Sequence, residues 1–182
     1  MDDLSVVIPS FRENNELIDK IVKELENLGI EVIVVDDGSE KPYPKSIKHG
    51  VNQGYGSSLL TGIKNATRPL IITMDGDGQH TVGDVVNLYV SWQMMKDADM
   101  VIGARRLKVE RWYRMLGRKF LNWIAGFVTG TYFQDLNSGM RMFRRSVAIG
   151  YASILCRNFS FTTSLTISML FDGYRVESFP IK

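Results

Sequence analysis

The sequence predicts an α/β fold, with an open and mostly parallel central sheet flanked by helices. Three observations lead there. Short apolar runs alternate with stretches of helical apolar spacing, the pattern of βαβ units. The runs are nearly continuous in apolar character, as expected of strands buried on both faces. Two of them end in acids and glycine, Asp36-Asp37-Gly38 and Asp75-Gly76-Asp77, and open α/β sheets bind ligands at the carboxyl ends of their strands.

In chain order, residues 4–8 form the first predicted strand, stopped by Pro9. Asn14 or Asn15 caps a helix in which Leu17, Ile18, Ile21, Val22, Leu25 and Leu28 recur at helical spacing, and Gly29 ends it. Residues 30–35 are the second strand, interrupted only by Glu31. Lys41-Pro42-Tyr43-Pro44 is a rigid connector. Asn52-Gln53-Gly54-Tyr55-Gly56 turns into a helix with Leu59, Leu60, Ile63 and Ala66 on one side. Gly54-x-Gly56 follows no convincing apolar strand and lacks a third glycine, so a dinucleotide fingerprint is set aside. Leu70-Ile71-Ile72 is the next strand. Thr81 caps a helix with Asp84 at the capping-box position, and its stripe is Val85, Leu88, Tyr89, Trp92 and Met95. Residues 99–103 form a fourth strand. A basic, aromatic helix follows, then a turn at residues 135–139 and a strand at 140–143. A helix near 162–170 and a strand at 174–179, closed by Pro180, complete the chain. Cys156, Phe171 and Phe179 are expected in the core, and His49 has no partner in view.

The totals bound the class. A chain of 182 residues, 45% hydrophobic and 23% charged, suits one globular domain. One cysteine excludes an internal disulfide and fits a reducing compartment. The acidic start lacks the regions of a signal peptide, and no apolar run reaches membrane-spanning length. Net charge is +2, but residues 1–100 carry nine Lys and Arg against sixteen Asp and Glu, and residues 101–182 carry thirteen against four. An acidic half that handles a cation and a basic half that meets anions is the functional reading; mutual neutralisation across the fold is the plain one.

Asp75-Gly76-Asp77 is the strongest local signal. Two carboxylates at i and i+2 repel unless a cation lies beside them. Such oxygen ligands suit Mg²⁺ or Mn²⁺ shared with substrate phosphates. The competing reading is a polar turn. Downstream, Arg105, Arg106, Lys108, Arg111, Arg114, Arg118 and Lys119 are interleaved with Trp112, Tyr113, Phe120, Trp123 and Phe127. This suits a helix lying at an anionic membrane interface. A nucleic-acid surface or a packed aromatic face would have a similar pattern, and nucleic acid is not the expected partner.

Six motifs in order then resemble the family 2 glycosyltransferases of GT-A (Rossmann-like) fold, especially the dolichyl or polyprenyl phosphate mannose and glucose synthases. Val6-Val7-Ile8-Pro9-Ser10-Phe11-Arg12-Glu13 is similar to the opening strand and nucleotide-contacting turn. Val35-Asp36-Asp37-Gly38-Ser39 resembles the segment that contacts base or ribose. Asn52-x-Gly54-x-Gly56 fits the third segment. Met74-Asp75-Gly76-Asp77-Gly78-Gln79-His80 resembles the metal signature, with Gln79 as an extra contact to metal or phosphate. Ile102-Gly103-Ala104-Arg105 resembles the motif whose arginine meets donor phosphate, and Asp135-x-x-Ser138-Gly139-Met140-Arg141 a later motif.

The resemblance implies one catalytic domain, with a nucleotide-sugar part at about residues 1–104 and an acceptor and membrane-facing part at about 105–182. It implies Asp75, Asp77 and Arg105 as catalytic residues. Donor contacts would come from Pro9, Phe11, Glu13, Val35, Asp36, Asp37, Gly76 and Gln79, and Mg²⁺ or Mn²⁺ would lie on Asp75, Asp77 and Gln79. The expected reaction is inverting hexose transfer from a GDP-mannose or UDP-glucose type of donor to polyprenyl phosphate. Arg114, Arg118 or Lys119 would grip the acceptor phosphate, with the protein cytoplasmic and peripheral at the inner face of a membrane. Three departures stand out. Glu40-Lys41-Pro42 follows the second motif, where relatives have another Asp and Thr. Residues 159–164 lack a glutamate common in relatives. The sequence stops at Pro180-Ile181-Lys182, where relatives continue with a basic segment, so truncation at the C-terminus is expected.

The acid count bears on the acceptor. A sugar hydroxyl needs a general base, whereas a phosphate monoester is already anionic. The second half holds only Glu110, Asp135, Asp172 and Glu177, which favours phosphate, with Asp135 the candidate base otherwise. Alternatives are transfer to a sugar hydroxyl, a nucleotidyltransferase and a non-catalytic lipid- or nucleotide-binding module. A dehalogenase-like phosphatase lacks its downstream acidic pair, and a calcium loop fails because Val86 stands where a bidentate Glu belongs. His80 reads as a turn residue or one beside the metal ligands, and Arg141, Arg144 and Arg145 as a solvated face or part of the phosphate region.

Overall fold

The computed structural model describes residues 1–105 and 138–181. The stretch with Arg114, Arg118 and Lys119, and Asp135 of the later turn, lie outside the described residues. The strands are β1 (Leu4–Ser10), β2 (Glu31–Asp36), β3 (Ile47–Lys48), β4 (Leu70–Thr73), β5 (Met100–Arg105), β6 (Arg141–Arg144) and β7 (Val176–Ile181). The helices are α1 (Asn15–Glu26), α2 (Tyr55–Asn65), α3 (Val82–Met94), α4 (Arg145–Gly150) and α5 (Phe161–Phe171). They build one sheet of order β3-β2-β1-β4-β6-β5-β7. Every pairing is parallel except those of β6, which runs antiparallel between β4 and β5.

Alternation along the strands explains the layers. Leu4, Val6 and Ile8 of β1 join a core with Ile18, Ile21, Val22 and Leu25 of α1 and Val85, Leu88 and Trp92 of α3. Val7 points to the other face, where Leu59, Leu60 and Ile63 of α2 meet Phe161, Leu165 and Met169 of α5. Helix starts follow the predicted signals. Asn14 Oδ1 accepts the Glu16 and Leu17 N–H groups at 2.9 and 3.4 Å, and Thr81 and Asp84 form a capping box on α3. Gly29, at φ +76°, turns the chain out of α1 into β2.

Several expectations are corrected. β1 does not stop at Pro9 but runs through it to Ser10. The Val7 carbonyl accepts from Met74 N, so Pro9, two residues on, faces the same side beyond the last β4 pair, where no N–H is needed. Pro180 likewise lies inside β7, which is tolerated because β7 is an edge strand. Two-residue β3 and short α4 carried no periodic signal and were not predicted. Leu28 and Phe171 are 41% and 67% exposed, and Cys156 is exposed, so none belongs to the core.

α2 lies so close to β1 that a Cβ on Gly62 would collide with Val7 Cγ1. Gly62→Ala gains up to about 1 kcal/mol of helix propensity but overpacks a buried contact, which costs about 1–3 kcal/mol. A lower urea midpoint is expected. At Gly150 nothing lies near a new Cβ, so Gly150→Ala should leave the midpoint unchanged or raise it.

Candidate active site

From β1 the chain winds outward to β2 and β3, then returns to β4 on the other side of β1. The reversal opens a crevice at the carboxyl ends of β1 and β4, the usual place for a ligand in such sheets. A cleft of about 840 Å³ lies there. After β1 it is lined by Pro9, Phe11 and Glu13, after β2 by Asp37, and after β4 by Asp75, Gly76 and Asp77. Gly54 and Tyr55 enter from the start of α2. Gly139 precedes β6, and Asn158, Phe159 and Thr162 surround the start of α5.

Four predicted donor or metal contacts, Val35, Asp36, Gln79 and Arg105, stand outside this wall. Val35 is fully buried in the core. Asp36 is buried, and its Oδ1 accepts the Ser39 N–H at 2.8 Å, so it shapes the turn after β2. Gln79 braces Asp77, donating its backbone N–H to Oδ1 at 2.9 Å and its side-chain amide to Oδ2 at 2.6 Å. Arg105 ends β5 at the same edge of the sheet, near enough to bear on the protonation of His80.

Asp37 organises the loop over the cleft. Its Oδ1 meets His49 Nδ1 at 2.7 Å and accepts the Gln53 N–H at 2.9 Å, and its Oδ2 accepts the Gly54 N–H at 2.8 Å. His49 Nε2 lies 2.9 Å from the Thr61 hydroxyl, so the histidine without a visible partner in the sequence has two in the fold. Burial pushes the Asp37 carboxyl upward, but the Gln53, His49 and Gly54 contacts outweigh it and hold the group below its ordinary value. Arg12, at φ +58°, is the one non-glycine residue with left-handed backbone among the described residues. That turn sends Phe11 and Glu13 into the cleft and is held by the Arg12 N–H on Ser39 Oγ at 2.8 Å.

Asp75 is held from several sides. The Tyr55 hydroxyl donates to its Oδ1 at 2.8 Å, and Gly139 lies so close that any Cβ there would strike the carboxylate. Burial, the Asp75 charge and this hydrogen bond push the Tyr55 hydroxyl well above its ordinary value, so it stays protonated near neutral pH. His80 Nε2 lies 4.0 Å from Asp75 Oδ2, too far for a hydrogen bond. The ring is buried, and neither nitrogen has a hydrogen-bond partner among the described residues. Burial pulls His80 below its usual value against the opposing effect of Asp75, and Arg105 adds to the lowering.

Glu13 is raised by burial, then by Asp77 and Asp75, the mark of carboxylates crowding one space. No group of three His, Cys, Asp or Glu residues among the described ones could hold an ion alone. The donor set therefore fits a hard cation held by one or two carboxylates, its other ligands coming from a bound diphosphate or water. Sequence reasoning missed Tyr55 and Phe159; the only hint was that Tyr55 lies between two glycines. Arg141 is neither solvated nor in the cleft wall. It is fully buried, its Nε donating to the Ser138 carbonyl at 3.1 Å and its Nη1 to the Thr162 carbonyl at 2.6 Å.

Asp37→Asn should destabilise the fold by on the order of 2 kcal/mol at pH 7, because an amide cannot accept all three contacts. The folded carboxyl is depressed, so its contribution is present above the unfolded value near 3.8 and lost as pH falls through the folded value. Denaturation midpoints of the two proteins should differ steadily above about pH 5 and converge below about pH 4.

Residues 5–152 match the profile described as Glycosyl transferase family 2. A protein of Methanocaldococcus jannaschii described only as uncharacterized is 36% identical over 164 residues, covering 81% of this chain and 67% of its own. The undecaprenyl-phosphate 4-deoxy-4-formamido-L-arabinose transferase of Proteus mirabilis is 26% identical over 166 residues; the match covers 81% of this chain and only half of that enzyme. Among solved structures, glucosyl-3-phosphoglycerate synthase of Mycobacterium tuberculosis, in complex with Mn²⁺, UDP-glucose and phosphoglyceric acid, superposes with TM-score 0.74 at 17% identity. That superposition covers 99% of this chain and 71% of that one. Mannosyl-3-phosphoglycerate synthase of Rubrobacter xylanophilus gives 0.71 at 14% identity over 97% and 65%. With the profile covering most of its length and the GT-A sheet carrying its cleft at the β1–β4 reversal, the chain belongs to glycosyl transferase family 2 and is a glycosyltransferase.

Proposed function

We propose that the protein transfers a hexose, with inversion, from a GDP-mannose or UDP-glucose type of donor to a polyprenyl phosphate at the cytoplasmic face of a membrane. The observation that carries this reading is the division of the cleft wall. Its carboxylates, Glu13, Asp37, Asp75 and Asp77, all come from the donor half. The described part of the acceptor half contributes Gly139, Asn158, Phe159 and Thr162, with no acid and no histidine to serve as base. Among the described residues that side offers no base to a neutral hydroxyl, which supports a nucleophile that already carries its negative charge, as a phosphate monoester does.

Asp75 and Asp77 would hold Mg²⁺ or Mn²⁺ on the donor diphosphate. The bound cation would supply neutralisation of charge on the departing nucleoside diphosphate. Arg105 adds a fixed positive charge at the same sheet edge. Phe11 and Glu13 flank the donor, and Asp37 keeps the 49–54 loop folded over it. In the reaction the acceptor phosphate oxygen forms a bond to the anomeric carbon. The bond from that carbon to the diphosphate oxygen breaks, and its electron pair leaves with the diphosphate. Attack opposite the leaving group inverts the centre. The Proteus relative, an undecaprenyl-phosphate 4-deoxy-4-formamido-L-arabinose transferase, supports the acceptor class. The Mn²⁺ and UDP-glucose in the mycobacterial complex support the donor class. The basic, aromatic residues 105–127 are the proposed membrane-facing element, with Arg114, Arg118 or Lys119 on the acceptor phosphate. No helix among the described residues is long and apolar enough to cross a membrane.

Thermal-shift measurements with GDP-mannose, UDP-glucose and UDP-N-acetylglucosamine, each with and without Mn²⁺, test the donor site. One donor should stabilise the protein in a Mn²⁺-dependent way, by about 2.7 kcal/mol at a hundred times its Kd. Asp77→Asn should remove the Mn²⁺-dependent part, and an unchanged shift would take Asp77 out of the site. With that donor, transfer to a short polyprenyl phosphate is expected. Transfer only to sugar hydroxyls or to 3-phosphoglycerate would overturn the acceptor assignment.

A further inference from the structure

Beyond the motif residues, one aromatic pair joins the two sides of the cleft. Tyr55 is the first residue of α2, and its hydroxyl donates to Asp75 Oδ1 at 2.8 Å. Its ring stacks on Phe159, centroids 5.7 Å apart and planes 14° from parallel. Phe159 lines the cleft yet is 84% exposed. The segment that carries it is fixed to the start of α2. Ser57 N donates to the Arg157 carbonyl at 2.9 Å, and a Cβ on Gly54 or Gly56 would meet Asn158 Oδ1 or the Cys156 carbonyl at 2.5 Å. The backbone of residues 156–158 and the glycine turn are therefore in direct contact, and the stacked rings complete the link to Asp75.

We infer that Tyr55 is a positioning residue for the donor site, that Phe159 holds it in place, and that the acceptor-side wall thereby sets how tightly the metal-bound donor is held. The inference rests on the reading of Asp75 as a ligand of the donor's cation. An unsupported aspartate samples several rotamers and must be ordered when an ion binds. Here Tyr55 occupies one carboxylate oxygen and Gly139 closes against the group, so the ordering is done before the ion arrives. Partners of this kind, which touch a ligand rather than the metal, alter metal affinity by about tenfold to a hundredfold.

Tyr55→Phe tests this directly, because it keeps the ring and the stack and removes only the hydroxyl. Calorimetry with UDP and with GDP, each with and without Mn²⁺, is the readout. For the nucleotide that binds the unaltered protein, Mn²⁺-dependent affinity should fall about tenfold to a hundredfold. Mn²⁺-independent binding should change less than the Mn²⁺-dependent affinity, and metal-free melting should stay a single cooperative transition, lowered only by the loss of one hydrogen bond, which separates positioning from loss of fold. Phe159→Leu, which keeps an apolar side chain but not the stack, should weaken the same affinity by about threefold to tenfold. Adding Tyr55→Phe to Asp75→Asn should cost nothing further, since both act through one carboxylate. Mn²⁺-dependent affinity within twofold of the unaltered protein in Tyr55→Phe, or full additivity with Asp75→Asn, would overturn the inference while leaving the donor site intact. Absence of Mn²⁺-dependent nucleotide binding in the unaltered protein would overturn the donor-site reading and this inference together.

Discussion

Strand β6 enters the sheet against the direction of its neighbours, and the cleft depends on that reversal. An antiparallel strand begins where parallel ones end, so residues 138–140 arrive at the edge occupied by the carboxyl ends of β4 and β5. The join is made by short hydrogen bonds. Thr73 donates its hydroxyl to the Gly139 carbonyl and Ser138 its own to the Gly103 carbonyl, both at 2.6 Å. The next residue of β6, Arg141, is carried wholly into the interior. A buried guanidinium is tolerable only when its donors are met. Arg141 meets them at Ser138 and at Thr162 and Thr166 of α5. One side chain thus ties the helix of the acceptor side to the sheet of the donor side, and Gly139 is brought against Asp75 as a consequence.

The same edge collects acids, and the fold treats them unequally. Asp37 is finished: two backbone N–H groups and His49 satisfy it, and its carboxylate is stabilised in the absence of any ligand. Asp77 is partly answered by Gln79, and Asp75 by Tyr55. Glu13 is not answered; burial and its two acidic neighbours raise it. Asp37 thus differs in its surroundings from Glu13, Asp75 and Asp77, which line the cleft with fewer hydrogen bonds among the described residues, although the sequence presents Asp36-Asp37 and Asp75-x-Asp77 as similar pairs.

That difference marks how far the sequence could be read. Strands β1, β2, β4 and β5 and helices α1, α2 and α3 were legible because short continuous apolar runs and 3.6-residue spacing report burial directly. The Asn14 and Thr81 caps were legible because capping chemistry is local. Contacts made at long range were not. His49 and Asp37 are twelve residues apart, Tyr55 and Asp75 twenty, and Arg141 and Thr162 twenty-one. No local pattern announces such pairs. Pro9 and Pro180 misled because their effect depends on which neighbour strand is present at that point, a property of the whole sheet. Cys156 and Phe171 were placed in the core on residue type alone, while their exposure follows from the segment they occupy.

The proposed phosphate acceptor suits the same asymmetry. A positioned general base contributes about 10²–10⁴ in rate, and the acceptor-side residues Gly139, Asn158, Phe159 and Thr162 among the described ones include none. None of the donor-side acids replaces it easily. Asp37 is committed to the loop, and Asp75 and Asp77 are the proposed holders of the donor's cation. Glu13 is raised by burial and by Asp77 and Asp75, but it belongs to the turn after β1, on the donor side of the cleft. A phosphate monoester, largely dianionic at neutral pH with a second pKa of about 6, removes the need for proton transfer. Its own cost is repulsion by the acids at the strand ends, which the cation on the donor and the basic residues from Arg105 onward would offset. Acids at the donor-side strand ends, set against Gly139, Asn158, Phe159 and Thr162 among the described residues of the other side, thus suit the proposed anionic nucleophile better than a neutral one.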